Sequence, residues 1–452
     1  MTHLTIFTVA IGCLLSWLAL PAWGEEVEPA ISPVLTLEQA VAAAMENNRP
    51  LKVVTLEVER AGYKTDAART ARLPSLNLYG GTGSLLTSTH FQFNQGALGT
   101  VPGVGPVPSQ NTSVDQPARW STFLFATAAQ PLTQLFRINE GIRLNEVTEE
   151  VTQEQRRGHL HAVVNHVKRA YFSSLHLQSA LEATEEATRF LQELDRVVTE
   201  QVAQRKALRS DSLEVKTRLA ETEHRAIRLE SALATEKERL NNLLGRDIHE
   251  EFRLTPVFAP PKQTRETEAV LAQALANRPS VKAARLTVQQ AEHDKNIKKL
   301  HYVPDVSVVA AHAQAFNIGQ VLPDHLTFAG LFLSWEVFDW GRKARELTEK
   351  QHAIEQTRVG ALETEAQVEV EIRHQLRSVQ DAQSLLPVKQ LGQESSKEKL
   401  RVVMNRYTQK SAVLQDVLKA QSDLADANHQ YQQALLDLMT ATTDLEKAIG
   451  EG

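Results

Sequence analysis

Arg196-Val197-Val198, followed by Gln204, Ala207, Asp211 and Leu213, returns as Arg401-Val402-Val403, Gln409, Ala412, Asp416 and Leu418, a constant 205 residues further on. The match continues through Leu219-Ala220, His224, Leu233, Leu240 and Gly245, which meet Leu424-Ala425, His429, Leu438, Leu445 and Gly450. About fifty residues align without a gap, so the chain is written twice. Upstream the spacing is 230: Lys52 to Pro74 answers to Lys282 to Pro304, with Leu56/Leu286, Val58/Val288 and Ala61/Ala291 coinciding. Asn48-Arg49-Pro50 reads as recurring at Asn277-Arg278-Pro279. The 25 extra residues of the first unit fall between Pro74 and Arg137. Segment 87–118 lies there, in a stretch rich in Gly, Pro, Ser, Thr and Asn, and reads as a long exposed loop.

Both units predict the same order of elements. The first repeat, 25–253, begins with short helices and continues with extended segments at 75–86 and 119–130, then a long helical hairpin at 137–245. The second, 254–452, has helices over 266–303, extended segments at 305–316 and 326–337, and a hairpin at 342–450. Runs such as Val306-Ser307-Val308-Val309 and Trp120-Ser121-Thr122-Phe123-Leu124-Phe125 lack helical periodicity and suit strands. The hairpin arms carry almost no Gly or Pro, and Gly245 and Gly450 stand where a helix would stop. An outward arm of about 69 residues spans roughly 100 Å. The return from Arg209 to Gly245 covers only about 55 Å, and Ser280 to Val303 adds about 36 Å. Leu219, Ala226, Leu233 and Leu240 recur every seventh residue, as do Ala420, Ala427, Ala434, Ala441 and Ala448, so the helices pack in coiled-coil fashion. Four strands cannot close a barrel, and open strand edges are not tolerated in lipid. If these strands span a membrane, several chains share one barrel, and twelve strands from three chains lies within the range of spanning barrels.

The 452 residues are 42% hydrophobic, 23% charged and 6% aromatic, with a net charge of −6. Mild acidity speaks against a nucleic-acid surface. Leu4 to Ala22 is nearly all apolar and Ala22-Trp23-Gly24 supplies a small-x-small site, so 1–24 reads as an export signal cleaved after Gly24. The alternative is cleavage before Cys13 with lipid carried on that residue. Cys13 is the single cysteine, so a chain starting at Glu25 holds no disulfide, thiolate metal site or Cys nucleophile. His159, His161 and His166 do not share one helix face and read as solvated positions. No nucleophile motif or phosphate loop is present, so neither enzyme activity nor a cofactor is expected.

Thr36-Leu37-Glu38-Gln39-Ala40, Asn47-Asn48-Arg49-Pro50, Arg72-Leu73-Pro74 and the run from Arg406-Tyr407 through Asp416-Val417-Leu418 resemble the TolC-like outer membrane efflux proteins. The resemblance covers the chain from Glu25 onward. It implies a mixed fold: a homotrimer whose twelve strands form one outer-membrane β-barrel, continued by an α-helical coiled-coil tunnel across the periplasm of a Gram-negative-type bacterium. It also implies a passive exit duct that docks by its tips on a periplasmic adaptor and receives cargo from an inner-membrane transporter. A soluble periplasmic coiled-coil adaptor or scaffold is the other reading.

In such relatives the closed periplasmic aperture involves a Tyr, an Arg five residues on, and two Asp three apart. The matching positions are Tyr407, Ala412, Asp416 and Lys419, so Tyr407 and Asp416 are kept and the other two depart. In the first unit Asp211 and Glu214 take the acidic positions. Three chains would present nine carboxylates, a ring that favours cations. A plain acidic helix start, stabilised by the helix dipole, is the competing explanation. At the turns, where relatives usually carry Gly, this chain has Arg205 and Lys410. With Lys206 and Arg209 they make the tip basic, suited to an adaptor with an acidic rim or simply to solubility. Phe123, Phe125, Phe328, Phe332 and Trp335 fit a lipid-facing band or interfacial girdle, or packing within a soluble sheet.

Overall fold

The computed structural model describes residues 34–84, 86–116, 120–257, 266–317 and 323–451. The predicted export signal, Cys13 and Arg119 lie outside them. Strand β1 (Val34–Leu35) precedes helices α1 (Leu37–Asn47) and α2 (Arg49–Thr70). Strands β2 (Ser75–Ser84), β3 (Thr89–Phe93), β4 (Thr100–Val101), β5 (Gly105–Pro106), β6 (Thr112–Gln116) and β7 (Trp120–Pro131) follow. Helix α3 (Gln134–Ala203) turns into α4 (Arg209–Leu244). After β8 (Arg253–Leu254) come α5 (Thr267–Asn277), α6 (Pro279–Leu300), β9 (Asp305–Phe316) and β10 (His325–Ser334). Helix α7 (Arg342–Thr408) and its return α8 (Leu414–Ile449) end the chain.

The long strands form one antiparallel sheet in the order β10-β9-β7-β2. Each connects directly to a helix at the same end of the sheet: β10 to α7, β9 to α6, β7 to α3 and β2 to α2. The helices repeat that order as a wall. Helix α3 packs against α2 and α4 and also against α6 and α8, and α7 packs against α6 and α8. At 1.5 Å per residue α3 and α7 each run roughly 100 Å, and the other two columns are each made of two shorter helices placed end to end.

The lengths in the sequence predict that α6 completes the return begun by α4, and along the chain it does. In the packing, however, α4 abuts α2, and α6 continues α8. Asn48 Nδ2 donates to the Leu243 carbonyl at 2.8 Å, and Arg278 donates to the Ala448 carbonyl at 3.4 Å. These two joints are repeat copies, which corrects the alignment of the Asn-Arg-Pro triplet. Asn48 and Arg278 are each the residue preceding their helix, so Arg278 corresponds to Asn48 and the letter match is one residue out of step. Proline is tolerated at either of the first two helical positions because those N–H groups have no partner within the helix, which permits the slip.

Three apolar clusters hold the wall together. At its middle, Ala40, Ala44, Val163, Val167, Leu240 and Leu244 pack with Tyr171 and Phe252, next to the parallel pair β1·β8. The second unit repeats this with Val270, Ala274, Val368, Ile372, Leu445 and Ile449. A third cluster joins the hairpin tips: Leu191, Leu194 and Val198 of α3, Val215 of α4, and Leu414, Val417 and Leu418 of α8. Burying one such side chain stabilises by about 1.5–3 kcal/mol, more than an exposed ion pair.

The predicted loop at 87–118 is not irregular. Among its described residues β3 pairs with β6 and β4 with β5, giving a ribbon that extends from the sheet end opposite the helices. Alternation between Thr89 and Phe93 and between Thr112 and Gln116 is short, and the many turn residues conceal it. The strands also end earlier than the sequence suggests. β2 stops at Ser84 instead of residue 86, and β10 stops at Ser334 instead of 337.

Gly245 ends α4 at φ +72°, and a Cβ added there would lie 2.2 Å from the Asn47 carbonyl oxygen. At Gly450 (φ +83°) the nearest atom would be Arg278 Cα at 3.3 Å. The left-handed conformation costs an alanine about 1–2 kcal/mol at both sites, and the steric clash is far more severe at the first. Gly245→Ala therefore lowers the thermal unfolding midpoint of the detergent-extracted protein more than Gly450→Ala, a comparison made by circular dichroism.

Candidate functional site

The tips of the two hairpins are built alike. Helix α3 ends with Arg205 at φ +58°, where its N–H reaches the Val202 carbonyl and that of Lys206 the Gln201 carbonyl. Helix α7 ends with Lys410 at φ +58°, with Lys410 bonded to Tyr407 and Ser411 to Arg406. Both are Schellman turns whose left-handed residue is a long cation instead of glycine. Arg205, Lys206, Arg209 and Lys410 are all exposed. Lys206 donates to Gln204 Oε1, and none of the four enters an ion pair among the described residues.

The return helices start alike as well. Asp211 Oδ2 accepts from the Leu208 N–H at 3.1 Å, and Asp416 Oδ2 accepts from the Val413 N–H at 3.3 Å. Each carboxylate thus satisfies a donor that the helix leaves free and sits where the helix dipole favours negative charge. Asp416 is exposed and Asp211 half-buried, and Glu214, one turn on from Asp211, is exposed with no cap to make. Leu208 and Val413, the residues before the two helices, are 69% and 61% exposed, so the basic tip carries apolar side chains that solvent alone does not favour.

Tyr407 stands apart from Asp416 in its contacts. Its ring packs at the edge of the tip cluster, and its hydroxyl donates to Gln201 Oε1 of the other hairpin at 3.4 Å. Burial raises its pKa, and the negative charge of Asp211 raises it further. Tyr407, Gln201 and Asp211 therefore meet across the two hairpins, whereas Asp416 serves its own helix. Gln201 is not visible as a site residue in the sequence, because its repeat counterpart is Arg406 and the duplication gives no pointer to it.

In the sheet, strand register places four of the phenylalanines together, while Trp120 and Phe316 lie on the opposite face. Phe123 and Phe125 of β7 pair with Ala315 and Ala313, and Phe328 and Phe332 of β10 with Ala311 and Ser307. Directly opposed residues share a face, so all four phenylalanines lie on one side, joined by Tyr79. The other side carries Gln130, His312, Gln314, Thr82, Thr122 and Thr327 together with Leu76, Leu78, Leu124, Phe316, Leu331 and Leu333, so neither face is purely polar. Phe328 folds over Gly330 on the aromatic face. Trp335 lies one residue beyond β10 and is 54% exposed, outside the alternation.

Of the three close histidines, His159 and His166 are exposed, but His161 is buried, which corrects the reading of a solvated position. Burial lowers its pKa, as does the neighbouring Arg157. His176 is similar: its buried Nδ1 has no partner, its ring lies 5.9 Å from that of His429, and burial followed by His429 lowers its pKa. Among the described residues no three His, Cys, Asp or Glu side chains are grouped to hold a metal ion. No helix of those residues is long and apolar enough to cross a membrane.

The profile of the family described as "Outer membrane efflux protein" matches residues 40–246 and 270–451. The chain belongs to that family. This efflux protein is an outer-membrane protein. It shares its fold with the outer-membrane channel OprN at a TM-score of 0.75 and 18% identity, over 92% of this chain and 90% of that one. The Vibrio cholerae outer membrane protein VceC matches at a TM-score of 0.73 and 16% identity, over 92% and 96%. An uncharacterized Haemophilus influenzae protein is 21% identical over 317 residues, 69% of this chain. The match spans 64% of that relative's length. The fold is the one found in solved outer-membrane channels.

Neutralising Asp211 with Asn removes one of the two influences that hold Tyr407 protonated. In Asp211→Asn the Tyr407 phenolate forms at lower pH than in the parent, read by ultraviolet difference titration against Tyr407→Phe. His161 and His176 have folded-state pKa values below the unfolded imidazole value near 6.5. Their contribution to stability is therefore complete above that pH and is lost as pH falls below it. Unfolding midpoints measured from pH 7 to 5 should fall, and the fall should be shallower in the double variant His161→Gln, His176→Gln.

Proposed function

We propose that three copies of this efflux protein close a twelve-stranded barrel and a continuous helical tunnel, forming the passive exit duct of a tripartite efflux or secretion system. The observation that carries this reading is the matched order of sheet and wall. Among the described residues, strands β2 and β10 at the sheet edges have no second neighbour, and their helices, α2 (with α4 below it) and α7, lie at the two edges of the wall. One added copy on each side satisfies both at once. Strands of 10–12 residues are about 33–40 Å long, which at the usual tilt of about 35–45° matches an outer-membrane apolar band about 25 Å tall. The apolar surface left bare supports the same arrangement: Val53, Leu56 and Tyr63 on α2, Ile227 on α4, and Leu362, Val370 and Val388 on α7.

With the phenylalanine face toward lipid, the face bearing His312, Gln314 and Gln130 lines the lumen, with Leu76, Leu78, Leu331 and Leu333 on the same side nearer the helices. The ribbon β3–β6 then points outward from the cell and the tips point inward. There the exposed cations Arg205, Lys206, Arg209 and Lys410, with Leu208 and Val413 between them, would meet a periplasmic adaptor that presents acidic and apolar groups, and an inner-membrane transporter would supply the cargo. Asp211, Glu214 and Asp416 from three copies surround the constriction as an acidic ring, with two of the three also capping their helices.

The test is single-channel conductance in planar bilayers together with native mass. A trimer giving stable unitary steps supports the duct, and a detergent-free monomer without channel activity overturns it. Asp416→Asn keeps a carbonyl oxygen that can accept from Val413 while removing the charge. It should reduce cation preference with little change in unfolding midpoint. Asp416→Ala should reduce both, at a stability cost of about 0.5–1 kcal/mol. Unchanged ion preference in both variants sinks the acidic ring.

A further inference from the structure

Since the chain repeats, every packed seam inside it has a counterpart that a single copy cannot make. Helix α2 corresponds to α6 at a spacing of 230 residues, and α3 and α4 correspond to α7 and α8 at 205. The seam of α3 against α6 and α8 is therefore repeated by α7 against an α2/α4 column. Within one chain those two elements stand at opposite edges of the wall. Resting on the trimer reading above, we propose that Arg345 of one protomer pairs with Asp66 and Tyr63 of its neighbour, and Asp381 with the neighbour's His224.

The internal seam supplies the template at two levels. Near the sheet, Glu140 of α3 lies 2.8 Å from His293 Nδ1 and accepts from Asn296 at 3.4 Å, both on α6. Their counterparts are Arg345 for Glu140, Tyr63 for His293 and Asp66 for Asn296. The acid on the long helix has become a cation, and an acid has appeared opposite it. Further down, His176 of α3 faces His429 of α8 with rings 5.9 Å apart. Their counterparts are Asp381 and His224, again an acid opposite a base.

Both seams thus change chemistry between the inner and outer copy, and both change to complementary charge. The side chains concerned await partners. Tyr63 is 76% exposed, and Asp66, His224, Arg345 and Asp381 are exposed too. Among the described residues Asp66 pairs only with Arg69 of its own helix, and the side chains of Arg345, Asp381 and His224 enter no hydrogen bond or ion pair. A guanidinium over the free Tyr63 ring would also gain a cation–π contact. Charge pairing of this kind selects register, because a slip of one helical turn brings different groups opposite each other.

Cysteine pairs test the register. Asp381→Cys with His224→Cys, and separately Arg345→Cys with Asp66→Cys, are made in the full-length chain, extracted in detergent and treated with a short thiol-reactive spacer. The off-register pair Asp381→Cys with Ser231→Cys serves as control, and the parent chain as blank. Covalent dimers and trimers on a denaturing gel for both designed pairs, with none for the control, support the proposal. A trimer by native mass that yields no ladder overturns the pairing and leaves the duct standing. A ladder equally strong in the control overturns the register. A monomer by native mass overturns the trimer reading, and the pairing with it.

Discussion

The N–H and C=O groups along the outer edges of β2 and β10 constrain everything else in this structure. In lipid each unsatisfied backbone group costs several kcal/mol, and no side chain on those strands can meet that cost. The sheet can be stable in a membrane only as part of a closed ring. The same requirement extends downward, since each strand runs directly into one helix column. The order β10-β9-β7-β2 becomes α7-α6-α3-α2 without a crossover. Closing the sheet therefore closes the wall, and a barrel and a tunnel share a single assembly step.

Within one chain, apolar packing does most of the holding. The clusters at the middle of the wall place Val167, Leu240, Ile372 and Ile449 fully out of solvent, and the tip cluster does the same for Val198, Val215 and Val417. Many ion pairs are exposed and local, such as Arg196–Glu193 and Arg401–Glu398, and add little individually. A protomer is thus a firmly packed slab with two unfinished sides. The tips remain joined as a pair through Leu194 and Leu418, so the two hairpins of one chain respond together to whatever touches either.

The duplication was legible because helices repeat their faces. Leu240 and Leu445, or Val163 and Val368, occupy the same place in two copies of one core, and ungapped alignment finds them. Element order followed from it, as did the family. What escaped reading was contact between elements distant in sequence. Which short helix abuts which return helix depends on Asn48 meeting Leu243, a relation nearly two hundred residues long with no periodicity to reveal it. The ribbon at 89–116 was hidden because short strands among Gly and Pro look like a loop. At the tip, Asp211 and Asp416 stood out as a repeated acid, but their bonds to Leu208 and Val413 show a structural task that composition alone does not separate from a pore-lining one. Tyr407 was legible and its partner Gln201 was not, since one repeat holds an amide where the other holds an arginine.

The two joints that splice short helices into full columns perform one task with different chemistry. Asn48 secures the first with neutral amide bonds to Leu243 and Leu51. Arg278 secures the second as a cation, held 2.6 Å from Glu371 on α7 with that carboxylate 39% exposed. Neutral bonds are indifferent to dissolved ions, whereas a partly exposed ion pair is screened as the Debye length shrinks from about 10 Å at 0.1 M salt to about 3 Å at 1 M. Rising ionic strength therefore weakens the hold of Arg278 on α7 while leaving the Asn48 bonds unchanged, so the two joints answer differently to salt.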